Sequence, residues 1–194
     1  MKAAQSITIH APLQKVFLAA ADLTRWPEFL PHYRHNRFFS QTPSGGVVEM
    51  SCWHAGIPVI WVSEFRIDAR GRELRFTHLR STLGAIAGTE TVWTFTKETD
   101  GGVDVTVTHH PAGGWLVVAP HKALGRFLLP RITGKTLAGL KRKLEAQQHT
   151  EKSRLSGSSR PARKPRAAKS PASPKPVSRK RATKAKPARK RKQA

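Results

Sequence analysis

Polar and apolar residues alternate singly over much of the chain before Pro111, and the alternation comes in short runs. Ser6-Ile7-Thr8-Ile9-His10 is the first run, and it reads as a strand because successive side chains of an extended backbone point to opposite faces. Pro12 then presets a helical φ, and Leu13, Val16, Phe17 and Ala20 follow at i, i+3, i+4 and i+7, one apolar helical face. From Asp22 to Pro31 a capping residue, an early Pro27 and a terminating Pro31 predict a turn and a second, very short helix. Its Trp26, Phe29 and Leu30 need an apolar surface to cover. From His35 onward the period is two. His35–Gln41, Val47–Ala55, Pro58–Asp68, Glu73–Leu79, Gly88–Lys97 and Val103–His110 are strand-like and separated by Gly- and Pro-containing turns, the pattern of an antiparallel meander. In the last hairpin Trp93, Phe95, Val103, Val105 and Val107 share one face while Thr94, Thr96, Asp104, Thr106 and Thr108 share the other, so one face is wet and one is buried. Beyond Pro120 the helical period returns. Leu129, Ile132, Leu137, Leu140 and Leu144 form a stripe opposite Lys135, Lys141, Arg142 and Lys143, which predicts a long helix, broken or kinked near its beginning by Pro130 and ending near Gln148.

This order predicts an α+β helix-grip fold: a curved antiparallel sheet, two small helices after its first strand, and one long C-terminal helix in its grip. The opening residues Ala11-Pro12-Leu13-Gln14-Lys15-Val16-Phe17 and the run from Ala21 to Pro31 resemble the start of the START-like polyketide cyclase/dehydrase and lipid-transport superfamily, which includes coenzyme Q-binding (Coq10-like) proteins. Trp93-Thr94-Phe95 before a Gly-Gly turn, the alternating valines from Val103 to His109, and Thr136-Leu137-Ala138-Gly139-Leu140-Lys141 agree with it. The resemblance covers about residues 3–148. It implies an internal cavity for an apolar molecule, such as a polyketide, a quinone or a lipid, with cyclase or dehydrase chemistry in some members.

Alternation nominates the lining of that cavity. Trp61, Ser63, Phe65, Phe76, His78, Thr91, Trp93, Phe95 and His109 fall on the concave face, with Met50, Cys52 and His54 a less regular continuation from which Met50 joins the lining. Aromatic rings, a flexible methionine and a few small polar groups suit a flat or extended apolar ligand, and they equally suit a solid core with hydrogen-bonded histidines. His78 and His109 are the candidate catalytic residues, since an imidazole titrates near neutral pH and serves as general acid or base. No metal and no cofactor are expected. Cys52 and His54 share a face, but no second pair stands at zinc-like spacing. The Gly45-Gly46, Gly101-Gly102 and Gly113-Gly114 pairs read as turns and not as phosphate loops. Cys52 reads as a small core residue.

Charge changes the picture at the C-terminus. The chain of 194 residues carries a formal net charge of +23, of which residues 1–149 contribute +7 and residues 150–194 contribute +16, with 17 basic side chains and one acid, Glu151. This predicts two parts: a domain over 1–149 and a disordered Lys/Arg/Pro/Ala-rich tail over 150–194, which has too little apolar surface to fold. The tail resembles those of linker histones and some nucleoid proteins. Arg163, Lys164, Arg166, Lys169, Lys175, Arg179, Lys180, Arg181, Lys184, Lys186, Arg189, Lys190, Arg191 and Lys192 are its candidate contacts to nucleic acid or ribosomal RNA, bound by counterion release, with an anionic membrane surface as competitor. No apolar run reaches the ~20 residues of a membrane span, and no leader-like apolar core follows Met1, so a cytoplasmic, nucleoid-associated location is the expectation. Two functions of different class follow. One is a binder or cyclase for an apolar small molecule whose tail contacts nucleic acid; the other is a nucleic-acid- or ribosome-associated interaction protein with a vestigial cavity.

Overall fold

The computed structural model describes residues 3–111 and 120–157, all within one compact unit, Met1–Ser159; the second unit, Arg160–Ala194, lies outside the described residues. The elements in chain order are β1 (Ala3–Ile9), α1 (Leu13–Ala21), a 3-10 turn (Leu23–Arg25) running into α2 (Trp26–Phe29), β2 (Tyr33–Thr42), β3 (Gly45–His54), β4 (Ile57–Asp68), β5 (Glu73–Ser81), β6 (Glu90–Lys97), β7 (Val103–His110) and α3 (Pro120–Gly157). The seven strands form one antiparallel sheet in the order β1-β7-β6-β5-β4-β3-β2. Six of them are the predicted meander. β1 closes the far edge by pairing with β7, from Ala3 opposite His109 to Ile9 opposite Val103. The architecture is the helix-grip arrangement expected from the sequence.

Local chemistry explains the turns. Ala55 and Gly56 both take left-handed φ values, 50° and 79°, in a two-residue loop that lets His54 pair with Ile57. A two-residue loop with both centres left-handed matches the right-handed twist of the strands it joins. The turn after β4 is held by Asp68, whose carboxylate accepts from the backbone N–H of Arg70 and Gly71 at 3.0 and 2.8 Å.

The inner face follows the alternation. Val103, Val105, Val107 and His109 are buried on β7, while the residues between them are partly exposed. Val16, Phe17 and Ala20 bury the inner side of α1, where Phe17 meets Phe95 edge to face at 5.3 Å. Helix α3 lays Leu128, Leu129, Ile132, Leu137, Leu140 and Leu144 across the interior, and the ammonium of Lys141 donates to the Thr8 carbonyl of β1 at 2.9 Å.

Most strand ends differ from expectation by one to three residues, and three departures bear on the packing. Helix α3 runs on past Gln148 to Gly157, into residues assigned from composition to the tail, and Lys15 of α1 pairs with its Glu151 at 2.7 Å. The helix is also continuous across Pro130, so of the break or kink expected there the break does not occur. Strand β6 starts at Glu90 and not at Gly88, because the preceding segment folds through a 3-10 turn (Thr82–Gly84) whose backbone packs on α3. That packing explains Gly125: a Cβ there would run into the Ala85 carbonyl.

Candidate functional site

Four neighbouring strands carry one polar residue each on the inner face, and their registers put these residues in a row. Ser63 of β4 stands opposite His78 of β5, Thr91 of β6 stands opposite Phe76 one pleat away from His78, and His109 of β7 stands opposite Thr91. A register irregularity between Val62 and Ser63 sets the first of these pairings. The side chains join. Ser63 Oγ lies 2.7 Å from His78 Nδ1, His78 Nε2 lies 3.0 Å from Thr91 Oγ1, Thr91 Oγ1 lies 2.9 Å from His109 Nδ1, and His109 Nε2 lies 3.2 Å from Thr133 Oγ1 on α3. All five residues are buried.

Proton counting constrains this chain. A neutral imidazole has one donor and one acceptor nitrogen, and a hydroxyl donates once. Five protons serve four contacts: either every donor points the same way, from Ser63 toward Thr133 or the reverse, and the last hydroxyl keeps its proton free, or both imidazoles donate to Thr91 while Ser63 and Thr133 donate to them. Both imidazoles are neutral near pH 7. Burial, with a smaller contribution from His109, lowers the His78 pKa to about 3; burial, with a smaller contribution from His110, lowers that of His109 to about 4.

Beside the row is a cavity of about 40 Å³, bounded by Trp26, Tyr33, Met50, Trp61, Phe76, His78, Thr91, His109, Leu129, Ile132 and Thr133. It lies between the sheet, α2 and α3. A second polar set reaches it: His32 Nε2 is 3.0 Å from Thr136 Oγ1, that hydroxyl donates to the Ile132 carbonyl at 2.9 Å, and the Tyr33 hydroxyl lies 3.5 Å away. Burial lowers the His32 pKa to about 4 and raises that of the Tyr33 phenol. The indole N–H groups of Trp26 and Trp61 are buried without a hydrogen-bond partner among the described residues.

Of the residues nominated from sequence, Met50, Trp61, Phe76, His78, Thr91 and His109 border the cavity. Ser63 sits behind His78 and reaches it only through the imidazole. Phe65, Trp93 and Phe95 are buried on the same face but away from the cavity, packed on Phe76, Trp26 and Phe17 respectively. Cys52 is fully buried, which pushes its thiol up to about 11, and His54 is partly exposed near Lys135 and Arg131. Sequence reasoning missed Trp26, Tyr33, Leu129, Ile132 and Thr133 as cavity walls. The signal for the last three was present, since Leu129, Ile132 and Thr133 stand at helical spacing. Larger clefts are open to solvent, such as the one of about 640 Å³ between α1 and α3, whose rim of Lys15, Asp22, Arg25, Lys143 and Glu151 is charged. No group of three or more His, Cys, Asp or Glu gathers among the described residues. The basic residues from Arg163 to Lys192 lie outside them.

Comparison with known proteins adds a family and a fold. The family model described as polyketide cyclase / dehydrase and lipid transport matches residues 1–145. The Zhui aromatase/cyclase from Streptomyces sp. R1128 superposes with a TM-score of 0.63 at 18% identity, covering 75% of this chain and 93% of that one. The di-domain ARO/CYC StfQ from the steffimycin biosynthetic pathway gives 0.61 at 19% identity, covering 76% of this chain; the match spans only 46% of StfQ, about half its length. A START superfamily protein from Mycobacterium smegmatis gives 0.58 at 11% identity, covering 74% of this chain and 98% of that one. At these identities the likeness is one of fold. No curated protein sequence matches the chain.

Proposed function

The chain belongs to the polyketide cyclase / dehydrase and lipid transport family, and on that premise we propose that it binds an apolar small molecule, of polyketide, quinone or lipid type, against the concave face of its sheet. The observation that carries this reading is the row from Ser63 to Thr133 beside a cavity in a mostly apolar interior. Hydroxyls and imidazoles add little net stability to a core and cost about 1–3 kcal/mol each when left unpaired. A continuous row of them bordering a cavity has its use in orienting a ligand.

At about 40 Å³ the cavity admits one or a few waters, so a larger molecule has to move a wall. Two walls are suited to this. Met50 turns about three side-chain bonds. Leu129 stands next to Pro130, which cannot donate to the carbonyl four residues earlier and so weakens the helix at that point. Binding is favoured over catalysis. With pKa values near 3 and 4 and both ring nitrogens engaged, His78 and His109 are weak bases at neutral pH. They pass a proton along the row without holding one, so a cyclase or dehydrase step here would lean on the substrate's own acidity.

The test is quenching of tryptophan fluorescence by a panel of naphthoquinone, 9-fluorenone and palmitate, with Trp61 beside the cavity as reporter. Saturable quenching by at least one member is expected, and its absence with all three refutes the reading. The small cavity is the one observation favouring the other function, an interaction protein whose interior is vestigial. For the tail, the support is charge alone: 17 basic side chains in residues 150–194. If about half of them neutralise phosphates, log K for duplex DNA falls with log salt at a slope of about −7 to −8. Binding that ignores salt, or that favours anionic vesicles over DNA, removes this part.

A further inference from the structure

The cations along two faces of α3 differ in their partners. On the face toward α1 they are compensated: Lys15 pairs with Glu151, Arg25 pairs with Glu28, and Lys143 lies over the Phe29 ring within the fields of Asp22 and Glu28. On another face Arg131, Lys135 and Arg142 are exposed and have no hydrogen bond or ion pair among the described residues. Helical spacing sets these three in one line, at steps of about 6 and 10 Å along the axis. Lys135 and Arg142 border a cleft of about 510 Å³ that also has His32, Trp53 and the Ala55-Gly56 turn in its wall, and no carboxylate. Trp53 is 44% exposed; its backbone N–H donates to the His32 carbonyl at 2.8 Å, and the Arg34 guanidinium lies 4.9 Å from its ring centroid. The uncompensated charge is felt by its neighbours. Burial lowers the pKa values of His32 and His54, Lys135 adds to both shifts and Arg131 to that of His54, and no carboxylate counters them.

We infer that this cleft is a site for a nucleoside phosphate, free or within a single strand, with the phosphate on Lys135 and Arg142 and the base against Trp53. It lies outside the interior cavity and does not depend on the reading of that cavity. Like charges gathered on one face repel, and an anion entering among them relieves the repulsion. Arg142 offers a planar fork of N–H donors and Lys135 a compact ammonium, both suited to phosphate oxygens. The indole is what selects a nucleotide over a bare anion. An exposed aromatic ring is a platform on which a base stacks, and such platforms beside cations are the usual means of holding single strands. Ala138 and Gly56 put no long side chain into the cleft beside the ring. Arg131 stands about one helical turn from Lys135, outside the cleft wall, where the next phosphate of a strand meets it and a mononucleotide does not. A lipid headgroup presents the same phosphate but brings no base for Trp53.

The test follows the Trp53 indole N–H in the full chain labelled with 15N-tryptophan, the signal being assigned with Trp53→Phe. Residues 150–194 hold neither tryptophan nor histidine, so this signal reports the domain and not the basic tail. AMP is expected to move it saturably and to bind at least about fivefold tighter than inorganic phosphate, measured by competition, because stacking one base contributes that much or more. Lys135→Gln and Arg142→Gln should each weaken AMP by about three- to fivefold, the worth of one exposed ion pair. Arg25→Gln, in the compensated cleft, should leave AMP binding unchanged. A short single-stranded oligodeoxyadenylate separates the two sources. If Arg131→Gln weakens the strand and not AMP, the site takes a strand; if the strand binds no better than AMP, it takes the free nucleotide. A Trp53 signal indifferent to both ligands, phosphate as tight as AMP, or AMP binding untouched by both α3 substitutions overturns the inference. Movement of the signal by vesicles of phosphatidylcholine and phosphatidylserine, but not by AMP, overturns it as well and gives the cleft to a membrane surface. The substituted residues are exposed, and if a variant does not fold, the titrations of the unaltered protein decide.

Discussion

Acidification is the perturbation to which the interior should respond most. In the folded chain His78 and His109 sit at about 3 and 4, against 6.5 for an unperturbed imidazole. Above that ordinary value both states hold the rings neutral, and the stability contributed by burying them uncharged is fully present. As pH falls below it the unfolded chain takes up protons that the folded chain refuses, so stability drops until the folded values are reached. At pH 5, about 1.5 units below the ordinary value, each ring costs about 2 kcal/mol, and the pair about 4 kcal/mol relative to pH 7.5. Against the 5–15 kcal/mol that hold a typical domain together, that is a large share. His32 and His54, also lowered by burial, push in the same direction. Urea unfolding at pH 7.5, 6.5, 5.5 and 5.0 measures the loss, and the window stays above most carboxylate titration. His109→Gln, which keeps a donor and an acceptor but no titration, should remove about half of the slope. A change of less than about 1 kcal/mol between pH 7.5 and 5 would refute the placement of two neutral imidazoles in the core.

Other perturbations separate the parts of the molecule. Ser63→Ala leaves His78 Nδ1 without its partner and should cost about 1–3 kcal/mol in urea melts; a neutral outcome would mean that the row is not continuous. Gly125→Ala drives a Cβ into the Ala85 carbonyl and should lower stability by about 1–3 kcal/mol, against the gain usual for such a helix substitution. Cutting the chain after Gly157 removes alanines, prolines and a lone Val177 but no larger apolar side chain, so the melting temperature should hold; a drop of more than a few degrees would show that the tail docks. Replacing Lys184, Lys186, Arg189, Lys190, Arg191 and Lys192 by Gln should flatten the salt slope of DNA binding by up to about five units, equally for unrelated sequences.

The fold was legible wherever a segment is wet on one side. Val103, Val105 and Val107 announce a strand and its inner face, and Leu137, Leu140 and Leu144 announce a helix and its stripe, because burial on one side imposes a period. Where burial stops, so does the signal. Beyond Gln148 α3 continues with His149, Thr150, Glu151, Ser153 and Arg154 exposed and with Glu151 reaching Lys15, and no apolar period marks it. Long-range pairing was not legible either. The alternation in Ser6 to His10 says that β1 is a strand, but nothing in it says that its partner is β7.

The site divides along the same line. Period two places Ser63, His78, Thr91 and His109 on the inner face, and it places Phe65, Trp93 and Phe95 there with equal force. What it leaves open is position along the strands. Only the register tells which of these side chains come level with one another, and only the path of α2 and α3 tells where the inner face is left uncovered. Of the three aromatics that missed the cavity, the helices cover two, Phe95 by Phe17 of α1 and Trp93 by Trp26 of α2, and Phe65 is stacked on Phe76 of the neighbouring strand β5. Trp26 was recognisable as an apolar residue in need of a surface, but a short helix framed by prolines carries no period to aim it. It points inward because Tyr33, Phe76 and Trp93 surround it, at 5.2, 6.5 and 5.8 Å. This packing fixes the ring and leaves its N–H unpaired. In a core selected for stability alone, phenylalanine would fill much of that place without an unsatisfied donor. Trp26 and Trp61 each carry such a donor, so the packing of the two rings has to offset the cost of leaving it unpaired.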